Sequence, residues 1–138
     1  MKRAVFAALV IGLFLAPFSA RADCAGPPGA QVVLVSNSYD PDVLVWDSKQ
    51  RLLYYQAGGW RVAKMLLPHA LLARAGTKAV LLSCQLNIVH PKYQIAPTDA
   101  AGVKLTGGPY KGRYGWVMAV DLARQGSSER RNAPAPGH

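Results

Sequence analysis

The first apolar block of the chain, Ala4 to Phe18, is also its longest; Lys2 and Arg3 precede it and Ala20-Arg21-Ala22 follows. A charged start, an apolar centre and small residues at the minus-three and minus-one positions predict a secretory signal over residues 1–22. The block falls short of the roughly 20 apolar residues that span a bilayer, so no transmembrane segment is expected. The mature chain then begins near Asp23. Beyond it the apolar runs are short and broken by turn formers. Ala25-Gly26-Pro27-Pro28-Gly29 reads as an extended lead-in, and Gln31 to Val35 as a β-branched strand. Ser36 to Pro41 is a cluster of turn residues. Val43 to Trp46 and Arg51 to Tyr55 flank Asp47-Ser48-Lys49-Gln50 and predict a β-hairpin that ends at Gly58-Gly59.

The stretch Trp60 to Ala75 fits either a strand followed by a short helix or a pair of strands. Pro68 excludes one continuous helix there, and a helical turn from Pro68 to Arg74, closed by Gly76, satisfies the preference for proline at the start and glycine after the end. Lys78 to Leu86 is the clearest strand, Asn87 to Ala100 reads as a long loop, and Val103 to Thr106 and Tyr114 to Val120 are two last strands. Residues 23–124 make a single β-rich domain with no room for a second, and the tail from Gln125 to His138 has the composition of a disordered segment.

Charge and cysteines narrow the setting. Without Lys2, Arg3 and Arg21, the 16 basic residues fall to 13 against 7 acidic ones, a net charge near +6 that favours acidic partners such as anionic lipid head groups, cell-wall polymers or an acidic protein face. Nucleic acid is not expected outside the cytoplasm. Two cysteines in an exported chain predict a disulfide between Cys24 and Cys84. Lipidation of Cys24 is disfavoured, because Asp23 and Arg21 stand where a lipobox requires a small and an apolar residue. The expected location is periplasmic or secreted.

The most patterned stretch is Gly107-Gly108-Pro109-Tyr110-Lys111-Gly112-Arg113-Tyr114-Gly115-Trp116-Val117. Its glycines allow positive φ in a tight connection, and Gly115 allows close approach or a bulge. The Gly-Pro-Tyr-Lys-Gly-Arg-x-Gly-x-Val core resembles the KOW motif, and Gly115-Trp116-Val117 with Asp121-Leu122 resembles the closing strand of exported bacterial SH3-like domains. In that family a Gly-Thr-x-Val-x-Val strand comes before the closing hairpin, a place that Gly76 to Leu81 fits. The resemblance spans Gly76 to Leu122. It implies a mainly β fold, a small SH3-like barrel here extended by an N-terminal β-hairpin, and a role in contacting peptidoglycan or another envelope component.

Catalytic and metal patterns are weak. Gly107 to Gly112 has the span of a Walker A loop, but Arg113 and Tyr114 stand where Lys and Ser or Thr are required. Asp40, Asp42 and Asp47 lack the EF-hand order. His69, His90, Cys24 and Cys84 lack zinc-ligand spacing, and a Cys84 nucleophile would end a β-like run instead of starting a helix. The only glutamate, Glu129, lies in the tail, which leaves aspartates alone for a carboxylate pair. No cofactor and no metal are expected. The candidate binding residues are Tyr110, Lys111, Arg113 and Tyr114 on the glycine turn and Lys92 and Tyr93 in the long loop, all rings and cations suited to sugars, peptides and carboxylates. The expectation is a non-catalytic binding protein whose partner is a cell-wall polymer or envelope protein. The alternatives are a secreted inhibitor or immunity-type protein and, third, a small envelope hydrolase.

Overall fold

The computed structural model describes residues 23–36 and 39–126. The expected secretory signal and the tail beyond Gly126 lie outside the described residues. Seven strands form one antiparallel sheet: β1 (Gln31–Leu34), β2 (Asp42–Trp46), β3 (Ala70–Arg74), β4 (Lys78–Val89), β5 (Thr98–Leu105), β6 (Tyr114–Met118) and β7 (Leu122–Arg124). Their order across the sheet is β3-β2-β6-β5-β4-β1-β7. Helices α1 (Lys49–Gly58) and α2 (Trp60–Leu66) lie in the connection from β2 to β3.

The sheet is forced to curl by its last connection. Strands β6 and β7 stand four strand spacings apart in the sheet order, about 19 Å if the sheet were flat. Only the single 3-10 turn Ala119–Asp121 joins them, and the chain from Met118 to Leu122 reaches at most about 14 Å even when fully extended. The sheet therefore bends into a half-barrel, and the mainly β, barrel-like architecture expected from the sequence is what forms. The Asp121 carbonyl accepts the Val35 amide at 2.8 Å and fixes the turn to the end of β1.

Alternating residues on the central strands serve two cores, as the period-two geometry of a strand requires. Val43, Val45, Val103, Leu105 and Val117 point into the curl with Val32, Leu34 and Leu81. Trp46, Ala100, Trp116 and Met118 point outward and are covered by Leu52, Leu53, Tyr55 and Leu66 of the helices. Trp46 is buried, and its ring lies 4.7 Å from that of Tyr55 at a 40° tilt. At the crossing of β2 and β6, a Cβ on Gly115 would lie 2.3 Å from Val45 Cγ1 and 3.0 Å from the Trp46 carbonyl, so glycine lets β2 close onto β6. Gly112, at φ 92°, supplies the positive backbone angle expected of the turn before it.

Four expectations from the sequence are corrected. Arg51 to Tyr55 is helical, and β2 pairs instead with β3 over five residues, from Asp42–Arg74 to Trp46–Ala70. The Ser48 hydroxyl accepts the Arg51 amide at 3.2 Å, capping a run of good helix formers that Gly58-Gly59 ends. Pro68 does not open a helical turn to Arg74: it sits in a single 3-10 turn, Leu67–His69, with α2 before it and β3 after it. The Asn87 to Ala100 loop shrinks to residues 90–97, because β4 runs to Val89 and β5 starts at Thr98. A register shift there leaves Asn87 at φ 56°, and its amide donates to Asp99 Oδ1 at 2.8 Å. Gln125, placed in the tail from its composition, is held to β1 through its own amide on Gln31 and its side chain on Val32.

Cys24 and Cys84 form the expected disulfide, with Cα atoms 5.7 Å apart, and it ties the lead-in to the middle of β4. Native protein should show no titratable thiol by mass spectrometry, and replacing both cysteines with alanine should lower stability by up to about 4 kcal/mol for so long a loop. Gly115→Ala should cost about 1–3 kcal/mol in chemical denaturation, because the contact it makes is with backbone as well as side chain. An unchanged midpoint would show that β2 can shift to accept the methyl group.

Candidate functional site

The junction between the helices builds a cleft. Gly59, at φ 62°, donates its amide to the Tyr55 carbonyl at 3.2 Å and turns the chain so that α2 starts at Trp60. This leaves Tyr55 and Gln56 on one side of the bend and Trp60 and Ala63 on the other. The 90–97 turn lies against them: the Lys92 amide donates to the Gln56 carbonyl at 3.0 Å, and the Gln94 amide closes a turn on Pro91 at 3.1 Å. Between these two walls is a cleft of about 320 Å³ lined by Tyr55, Gln56, Trp60, Lys92, Tyr93 and Gln94 among others. Trp60 and Tyr93 are largely exposed at its rim. The Lys92 ammonium stands 5.6 Å from the centre of the Tyr93 ring.

The six residues singled out in the sequence do not form one surface. Lys92 and Tyr93 line this cleft, whereas the turn from Tyr110 to Arg113 lies at the other end of β5, eight residues away along the strand, or about 27 Å. Tyr110 is partly buried against the inner core. Lys111 is exposed. Tyr114 is exposed with the Lys104 ammonium 5.3 Å from its ring centre. Arg113 and Tyr114 border a small recess of about 100 Å³ whose far wall is Asp47, Pro68 and His69. There Asp47 Oδ2 accepts from Arg51 Nη1 at 2.6 Å and stands 3.4 Å from His69 Nδ1. The Arg51 hydrogen bond, followed by the nearby charges, holds the Asp47 carboxyl below its ordinary range.

Residues that sequence patterns did not single out complete the cleft: Tyr55, Gln56, Trp60 and Gln94. Trp60 directly after Gly58-Gly59 was the available signal, since a large ring just past a double glycine is placed by a chain reversal. The metal and nucleophile alternatives lose their residues. Cys24 and Cys84 are joined to each other, and no group of three or more potential ligands occurs among the described residues. Asp40 Oδ1 accepts the Asp42 amide at 2.9 Å in a local turn, while Asp47 faces the other recess.

Sharing Tyr55 and Gln56 with the first cleft is a wider one of about 520 Å³, with Leu44, Trp46, Leu72 and Met118 on its floor and Asp40, Asp42 and Asp121 on its walls. Burial pushes the Asp121 carboxyl up to about 6. Comparison with protein-family models, with curated proteins and with solved structures finds no match.

Asp121 is therefore more easily protonated in the folded than in the unfolded chain, whose reference value is 3.8. The folded state binds more protons between those two values, so stability falls as pH rises through the window from about 4 to about 6. Melting should occur at higher temperature at pH 5 than at pH 7. Asp121→Asn should stabilise the protein at pH 7 by about 1 kcal/mol, a figure that allows for solvent screening of a partly exposed group, and should flatten this part of the profile. A variant with the wild-type slope would assign the pH dependence to another group.

Proposed function

We propose that the protein is an exported, non-catalytic binding module of the cell envelope and that the cleft between the helices and the 90–97 turn receives a glycan strand of the peptidoglycan type. The observation that carries this reading is that two exposed rings, Trp60 from the helices and Tyr93 from the turn, line one cleft together with two amides, Gln56 and Gln94. Ring faces stack on the apolar faces of sugars, amides bond to hydroxyl and N-acetyl groups, and the Lys92 ammonium suits a carboxylate. Rings, amides and one ammonium hold a ligand without needing to move protons. The Cys24–Cys84 disulfide fits an oxidising compartment, and none of the described helices is long and apolar enough to cross a membrane. The five strands β7-β1-β4-β5-β6 form a curled unit of the strand number expected of an SH3-like barrel, with β2, β3 and the helices added at its edge.

Sedimentation with purified sacculi tests the reading. Wild-type protein should pellet with them, and Tyr93→Ala and Gln56→Ala should each weaken binding, the ring by about tenfold, the order expected for one stacking contact. Tyr93 is largely exposed, so its loss should leave the melting temperature nearly unchanged. Loss of binding on changing Lys111 and Arg113 together to glutamate, with Tyr93→Ala silent, would instead assign the ligand to the turn at the far end of β5. A wild type that fails to pellet would refute the glycan reading.

A further inference from the structure

We propose that the outer face of α2 and the tip of the 90–97 turn dock on the surface of an anionic phospholipid bilayer. Helix α2 is sharply two-sided. Ala63 is buried and Val62 and Leu66 half-buried on its inner side, while Trp60, Lys64, Arg61 and Met65 follow one another around an outer arc of about 140°, at about 100° per residue. Trp60 is 76% and Met65 72% exposed, and the turn that lines the cleft with Trp60 holds out Tyr93 at 84% and Ile95 at 105%. These side chains are not on a loose segment, since the Lys92 amide is bonded to the Gln56 carbonyl. Large apolar or aromatic side chains held in water on a short helix and on the turn packed beside it mark an interaction surface.

Charge selects the partner. From Ser48 to Thr98 the chain has no Asp or Glu and seven Lys or Arg, with Arg61, Lys64 and Lys92 among them. Among the described residues neither Arg61 nor Lys64 is in an ion pair. A second copy bound through the same face would bring like charges together, because a two-fold contact sets a patch against itself. A soluble polyanion would satisfy the cations but give nothing to Met65 and Ile95, which offer neither a ring nor a hydrogen bond. The boundary between headgroups and acyl chains rewards both: cations meet phosphodiesters while Trp, Tyr and aliphatic tips enter the interface. Docked in this way, the protein has the mouth of the cleft against the headgroup layer. Trp60 and Tyr93 then serve the bilayer or a glycan, one at a time, and Arg61, Lys64, Met65 and Ile95 belong to the bilayer contact alone.

The test is flotation of the protein recovered from the extracytoplasmic fraction, its N-terminus fixed by mass spectrometry, with vesicles of equimolar phosphatidylglycerol and phosphatidylcholine or of phosphatidylcholine alone. It should float with the anionic vesicles and lose them at high salt. Changing Arg61 and Lys64 together to glutamate should lower partitioning by at least about thirtyfold, since each basic residue near an anionic surface contributes about a factor of five. Met65→Ser with Ile95→Ser should lower it by about tenfold or more, while both variants keep the wild-type binding to sacculi, which depends on Tyr93 and Gln56. Should the glutamate variant melt early, Arg61→Gln with Lys64→Gln keeps the test open with a smaller loss in the same direction. Equal flotation with both lipid mixtures, or partitioning indifferent to these changes, would overturn the proposal. Concentration-dependent dimerisation abolished by the Met65 and Ile95 changes would also overturn it and assign the face to a second copy.

Discussion

Three residues, Ala119 to Asp121, have to carry the chain from the middle of the sheet to its edge, and that shortage of length shapes the molecule. Because they do not reach across a flat sheet, the sheet bends, and bending creates an inside. Val32, Leu34, Leu81 and Val103, on the neighbouring strands β1, β4 and β5, are fully buried because they point into the curl. The hydrogen bond from Val35 to Asp121 makes this closure specific, and the burial of the Asp121 carboxyl follows from the same closeness.

The outer side of the sheet is organised around Trp46. It ends β2, pairs in register with Trp116 of β6, and packs against Tyr55 of α1. A residue on β2 thereby sets where the helices lie, and the helices set where Trp60 stands relative to the 90–97 turn. The cleft is thus supported by a strand, a helix and a backbone hydrogen bond from Lys92 to Gln56, with little left to loop flexibility. Gly115, which permits β2 to approach β6, belongs to the same support although it is far from the cleft in sequence.

The strands β1, β2 and β6 and most of β4 were legible in the sequence because their β-branched residues and bounding turn formers act locally, whereas β5 was read only from Val103 onward. The disulfide was legible from compartment and count. The region from Ser48 to Arg74 was not, and the reason is physical: Ser48 is as good a turn residue as a helix cap, and Arg51 to Tyr55 has too few apolar positions to separate a period of 2 from one of 3.6. Only the pairing of β2 with Ala70–Arg74, a contact across the whole helical insertion, decides the matter. The site shared this fate. Lys92 and Tyr93 could be singled out as a ring beside a cation, but Gln56, Trp60 and Gln94 become neighbours only through tertiary packing, and the distance between the two candidate patches depends on the length of β5.

The disulfide joins residues 60 positions apart, so the chain from Cys24 to Cys84 is a covalent ring. That ring contains both helices and the exposed stretch around Met65 and Leu67, the part of the described surface with the most solvent-facing apolar residues. A protease that cuts once inside it opens the ring without releasing a fragment, and the two ends stay joined through sulfur to the same sheet. In an environment where hydrolytic enzymes are common, such a molecule can lose a peptide bond in its helical insertion and remain one body.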